Sequence, residues 1–419
     1  MNILIKKAVI LDPESKFHTK KKDIHIRNGQ IADIADRLEV KSARVIEAPQ
    51  LYVSAGWVDT FSDFCDPGSE HRETLESGSE AAMAGGYTDV FLVPNTNPPL
   101  TGKAQIERIR RMSDLVRLHP MGAISKNLEG KDLAEMYDMF HAGARAFTDG
   151  HLPVQNAGLL MKALQYVKSF DGILVQLPEE KSLSAHGLMH EGNNSVRLGM
   201  AGKPDIAESI LIQRDIELVD YTQSKLHISG VSTKRGIELI RQAKKRGIAI
   251  TCSVHPAHLL YTDDAVSQYH SLYKITPPLR TESDRKALVK ALLDGTIDVI
   301  SSHHIPQDWD AKEVEFEYAG QGMISLQTML NLLMNVPEQL TPENWIHLLT
   351  NNPRRIFNLR QEKIAKGLPA CLNVFSTAVS WMYTEQNNKS KSANAVLLGR
   401  ELKGKVLAVI NEGKYRIHE

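Results

Sequence analysis

The 419-residue sequence predicts an α/β protein: an eight-fold (β/α)8 TIM-type barrel with a small β-rich domain assembled from both ends. Two observations predict it. The long middle of the chain alternates apolar, β-branched runs with amphipathic helical stretches, the pattern of a parallel sheet covered by helices. Both ends instead carry short alternating strands separated by Lys, Asp and Gly turn signals. About 300 residues of strand-helix alternation fit a closed barrel better than an open sheet.

At the N-terminal end, Ile3, Ile5, Ala8 and Ile10, then Ile24, Ile26 and Ile31, read as strands. In the middle, YTDVFLVPNT reads as a strand ending at Pro94, followed by the helical stretch GKAQIERIRRMSDLV. KLHISGVST leads into the helix TKRGIELIRQAKKRG and the strand IAITCSV. DRKALVKALLDGT leads into IDVISSHH. In GIELIRQAKKRG and RKALVKALL the apolar residues form core faces, with charges left to solvent. Near the C-terminal end, NEGKYRI offers a Gly-containing turn between strands, and the polar run 384–394 reads as a loop. In barrels of this kind chemistry sits at the C-terminal ends of strands, so the residues just after each apolar run are the site candidates.

Composition excludes several classes. Lys plus Arg equals Asp plus Glu at 50 each, which gives no electrostatic basis for nucleic acid or an anionic membrane as partner. The cysteines Cys65, Cys252 and Cys371 are far apart and form no CxxC pair, so neither a disulfide framework nor a thiolate zinc site is expected. No apolar run approaches the ~20 residues of a membrane span. The first residues alternate apolar and charged side chains, without the apolar core of a signal peptide. The expected location is the cytoplasm.

Several stretches in order resemble the dihydroorotase family, zinc-dependent cyclic-amide hydrolases of the amidohydrolase superfamily. They are GWVDTFSDFCDPGSEHRET (56–74), VPNTNPPL (93–100), ARAFTDGHLPVQNAGLL (144–160), GLMHEGNNSVRLGMAGKP (187–204), HISGVSTKRGIELI (227–240), TPPLRTESDRKAL (276–288), DGTIDVISSHHIP (294–306) and LLTNNPRRIFNL (348–359). The C-terminal ELKGKVLAVINEGKYRI extends the resemblance nearly end to end. It implies residues 1–54 and 361–419 as the two parts of a β-sandwich, around a barrel over 55–360.

The resemblance also implies a site that this sequence departs from. The family's Asp-x-His-x-His reads Asp59-Thr60-Phe61-Ser62-Asp63 here, so the two histidine ligand positions are Phe61 and Asp63. The arginine that holds the substrate carboxylate is Cys65, and a thiol cannot make a guanidinium's two-pronged contact. Of the family's two adjacent aspartates, Asp149 is kept and the second is lost. The fifth- and sixth-strand histidines fall at Leu177 and Gly230. The eighth-strand aspartate, ligand and general base in the family, is His303, the vestigial base position. Among substrate positions Asn95 is retained, while Thr276 and Gln307 are altered.

Two readings of this set stand side by side. Asp63, Asp149 and His303 are three remnant ligands, the number a catalytic zinc needs from protein. Alternatively, His303 pairs with one or both carboxylates and fills the emptied site, offsetting buried charge. His255 and His258 are expected to be structural, His186 and His190 loop anchors, and the adjacent His303 and His304 to face opposite ways. The resulting expectation is a dihydroorotase-like protein that has lost catalysis, needs no cofactor, and serves a structural or assembly role. The partner implied by the resemblance is aspartate carbamoyltransferase, and homodimerisation is a family-level expectation. The alternatives are an active dihydroorotase (carbamoyl aspartate/dihydroorotate) or other cyclic-amide hydrolase using an atypical zinc site, and a sensor that binds ligand without turning it over.

Overall fold

The computed structural model describes residues 1–418. Eight parallel strand positions close a barrel. Trp57–Ser62, Tyr87–Leu92 and Arg117–Pro120 form one run of neighbours. Phe147 bridges Gly122 on one side and Leu174 on the other, as the fourth position. Leu174–Gln176, Leu226–Ile228, Ile250–Val254 and Val299–Ile300 continue in order. A bridge from His304 to Ser62 completes the ring. The strand residues of Trp57–Ser62 and Tyr87–Leu92 are buried throughout, as strands covered on both faces must be.

Helices follow the strands where the apolar periodicity places them. Lys103–Arg111 buries Ile106 and Ile109, and Lys234–Lys245 buries Ile237, Ile240 and Ala243. Both turn their charges outward. Thr233 caps Lys234–Lys245 by accepting from Gly236 N, and Thr281 caps Glu282–Leu293 by accepting from Asp284 N.

The two ends share one eight-stranded sheet. Asn2–Leu11 pairs with Lys21–Arg27, Arg44–Ile46 and Leu51–Ala55. Leu51–Ala55 in turn pairs with Cys371–Met382, which pairs with Glu401–Asn411. Ile3, Ile5, Ile24, Ile26, Val53, Leu372, Val374 and Ile410 form its core. The NEGKYRI turn joins Glu401–Asn411 to Lys414–Ile417. The polar run 384–394 is a packed loop: Ser392 Oγ donates to Arg72 O at 2.7 Å and Asn394 Nδ2 to Ile305 O at 3.0 Å. Among the described residues no helix is long and apolar enough to cross a membrane.

Candidate functional site at the barrel mouth

Asp59 ties the first strand to the eighth. Its Oδ2 accepts from Ser62 Oγ at 2.6 Å, and its Oδ1 from Ser302 N at 2.6 Å. This fixes Phe61 and His303 opposite each other across the closing seam. Their rings stack with centroids 4.5 Å apart and planes at 19°. Phe61 also joins the apolar cluster of Val58, Phe91, Val93, Met121, Val175 and Phe357 inside the barrel. His303 Nε2 lies 3.1 Å from Ser229 Oγ, and Nδ1 is buried without a hydrogen-bond partner. Burial, and then the imidazoles of His258, His151 and His227, hold His303 well below the usual histidine range, so the ring is neutral near pH 7.

Asp63 is buried at the end of the same strand. Its Oδ1 accepts from Cys65 N at 2.8 Å. His151 Nε2 stands 3.4 Å from its Oδ2, and Arg72 Nη2 stands 3.8 Å from it. Burial raises the carboxyl most, but His151, the Cys65 N–H and Arg72 together outweigh it, and Asp63 sits below the ordinary carboxylate value. The pairing expected of His303 is thus made by His151, while His303 stacks on Phe61. The reason is direction: His303 adopts φ +43°, a left-handed conformation that takes its side chain to the Phe61 seam. Cys65 is buried, and burial first, then Asp63, push its thiol far up, which makes it unreactive.

Asp149 faces a different set of groups. Its Oδ1 accepts from Ile124 N and Ser125 N, both at 2.9 Å, and its Oδ2 accepts from Ser125 Oγ at 2.5 Å. Burial raises its pKa against these bonds. Asn95 clamps the loop that follows. Its Nδ2 donates to Asp149 O at 3.1 Å and its Oδ1 accepts from His151 N at 3.1 Å. Gly150, at φ +60°, lets Asn95 approach, because a Cβ there would lie 1.7 Å from Asn95 Oδ1.

Leu177 and Thr276 line one small cavity with Glu179, Lys203, Glu208 and Arg280. Its volume is about 10 Å³, at most the room of one water. Ion pairs close its polar side: Lys203 Nζ meets Glu179 Oε1 at 2.6 Å, and Lys181 Nζ meets Oε2 at 2.6 Å. Gln307 points elsewhere, donating from Nε2 to Gln321 O at 2.7 Å, on the wall of a separate cavity of about 620 Å³.

The family model for Dihydro-orotase-like proteins matches residues 51–236. A dihydroorotase of Syntrophus aciditrophicus (strain SB) is 36% identical, with 99% of each chain covered. A dihydroorotase of Pelotomaculum thermopropionicum is 38% identical over 99% of this chain and 98% of the relative. The chain belongs to the dihydroorotase family. Among solved structures, an L-hydantoinase (dihydropyrimidinase) from Arthrobacter aurescens has the same fold, with a TM-score of 0.85 at 22% identity, covering 100% of this chain and 97% of that one.

In this dihydroorotase-family protein, the positions expected as ligands, Phe61, Asp63, Asp149, Leu177, Gly230 and His303, lie in or just after barrel strands, but their side chains do not form one donor set. Phe61, Leu177 and Gly230 have no donor, and Asp149 is bound by Ile124 and Ser125. Among the described residues no three His, Cys, Asp or Glu side chains gather so as to hold a metal ion. His255 Nδ1 accepts from Ala257 N at 2.9 Å, and His258 Nε2 lies 3.1 Å from Pro277 O. His304 turns away from His303 and reaches Glu73 Oε2 at 3.2 Å. His190 Nδ1 lies 3.1 Å from Arg280, while His186 is exposed. Sequence reasoning missed His151 and Arg72. The signal for His151 was its place directly after Asp149-Gly150.

Proposed function

We propose that this dihydroorotase-family protein no longer hydrolyses dihydroorotate and serves as a structural or assembly member of its family. The observation that carries the reading is the Phe61–His303 stack, in which an apolar ring and a neutral imidazole lie at positions where the family has two zinc ligands. A binuclear zinc centre generates hydroxide and polarises the scissile carbonyl, and this donor set does not fit one. The substrate side supports the same reading: Cys65 replaces the carboxylate-binding arginine, Asn95 is committed to the 149–151 loop, and the cavity beside Leu177 and Thr276 has room for one water at most.

The proposed partner is aspartate carbamoyltransferase, on the family resemblance. Mixing the purified chain with the transferase of the same cell tests this by size-exclusion chromatography with light scattering. Co-elution at fixed stoichiometry is expected. Separate elution at micromolar concentration of both would reject the assembly role.

A second reading is favoured by the end-to-end identity to proteins named dihydroorotase. In it the chain is a cyclic-amide hydrolase with an atypical zinc site using Asp63, Asp149 and His303. Zinc bound one per chain, together with turnover, would establish that reading.

A further inference from the structure

Gly230 leaves no room for a side chain of its own. A Cβ built there would lie 2.6 Å from Cε1 and 3.0 Å from Nε2 of His303, inside van der Waals contact. The imidazole is held on two sides. One side of it is stacked on Phe61, and Nε2 is held at Ser229. Phe61 is equally confined, by the apolar barrel interior on one side and the edge of His151, at 5.5 Å between centroids, on another. Phe61 is fully buried and His303 is 1% exposed, so neither ring can turn into solvent without opening the barrel mouth.

We infer that Phe61, Gly230 and His303 are one interlocked packing unit that leaves no metal site to be restored at any one of them alone. His303 fills the volume a side chain at 230 needs, and Phe61 holds His303 there. A histidine regained at 230 alone would strike the His303 ring. A histidine regained at 61 alone would meet only the His303 imidazole across the stack, two donors where a catalytic zinc takes three from protein. The inference rests on reading these three as former ligand positions. It adds that the loss is mutual, so that no single substitution restores zinc.

A double-mutant cycle tests the packing claim on the full chain. Gly230→Ala is made in the native background and in His303→Ala, and thermal unfolding midpoints are compared. The φ of +75° at Gly230 strains any side chain equally in both backgrounds, so only the clash differs. The expected result is a loss at least about 3 °C larger in the native background. Equal losses would overturn the interlock. Should Gly230→Ala not accumulate, Phe61→Ala and His303→Ala supply the same cycle across the stack. Calorimetric titration with zinc chloride is the second readout: Phe61→His and Gly230→His, each alone, should bind no more zinc than the native chain. One zinc per chain in either variant would also overturn the inference. Turnover by the native chain would instead reject the proposed function, while the unfolding cycle would still report on the interlock.

Discussion

The Nε2 of His151 stands 3.4 Å from the carboxylate of Asp63, which is buried at the end of the first barrel strand. Removing one partner of a buried pair leaves the other charge unmatched. His151→Ala should therefore destabilise the protein by about 1–3 kcal/mol, read from urea unfolding at pH 7, with Arg72 moderating the loss. An unchanged midpoint would mean that the contact carries no weight.

The same pair sets a pH dependence. Asp63 lies below its ordinary value, so its contribution to stability is present above the usual carboxylate range. It is lost as pH falls through the lowered folded value, in the acid window below about pH 4. In His151→Ala the largest lowering contact is gone, Asp63 rises, and the acid loss of stability should begin at a higher pH. Acid titration followed by circular dichroism distinguishes the two proteins.

Asp149 is a fastening for the third-strand loop. Three hydrogen bonds from Ile124 and Ser125 end on it. Asp149→Ala should cost about 2–4 kcal/mol through unsatisfied buried donors and leave metal content unchanged. A drop in bound metal with little loss of stability would make it a ligand instead.

Barrel and sandwich are joined by aromatic packing. Phe375 of Cys371–Met382 meets Trp57 of the first barrel strand at 5.6 Å and Trp345 of Pro342–Leu349 at 6.1 Å. Phe375→Ala should cost about 3–5 kcal/mol, and denaturant unfolding should show one transition shifted as a whole. Two separated transitions would contradict the coupling.

All three cysteines are buried, and burial raises each thiol. A thiol reagent added at pH 8 should label none of them in the native protein within minutes, and all of them in denaturant. Rapid labelling of Cys65 alone would make it accessible and activated.

Most of the fold was legible because its signals are periodic. The strand ends that carry Phe61, Gly230 and His303 follow apolar runs, and the amphipathic stretches after them form the helices Lys234–Lys245 and Glu282–Leu293. What the residues chose as partners was not. Asp149 looked available for a metal until its backbone donors from Ile124 and Ser125, more than twenty residues away in sequence, were in place. His303 was expected to meet a carboxylate, yet its left-handed backbone turns it to Phe61, and His151 takes the carboxylate. Such pairings depend on tertiary distance and local dihedrals, which strand periodicity does not carry.

The most direct measurement is bound zinc and dihydroorotate hydrolysis on one sample, purified without chelator and assayed again after added zinc. The account predicts zinc well below one per chain and no turnover in either state. Stoichiometric zinc with turnover, abolished by Asp149→Ala, would contradict it and assign the family's chemistry to a different ligand set.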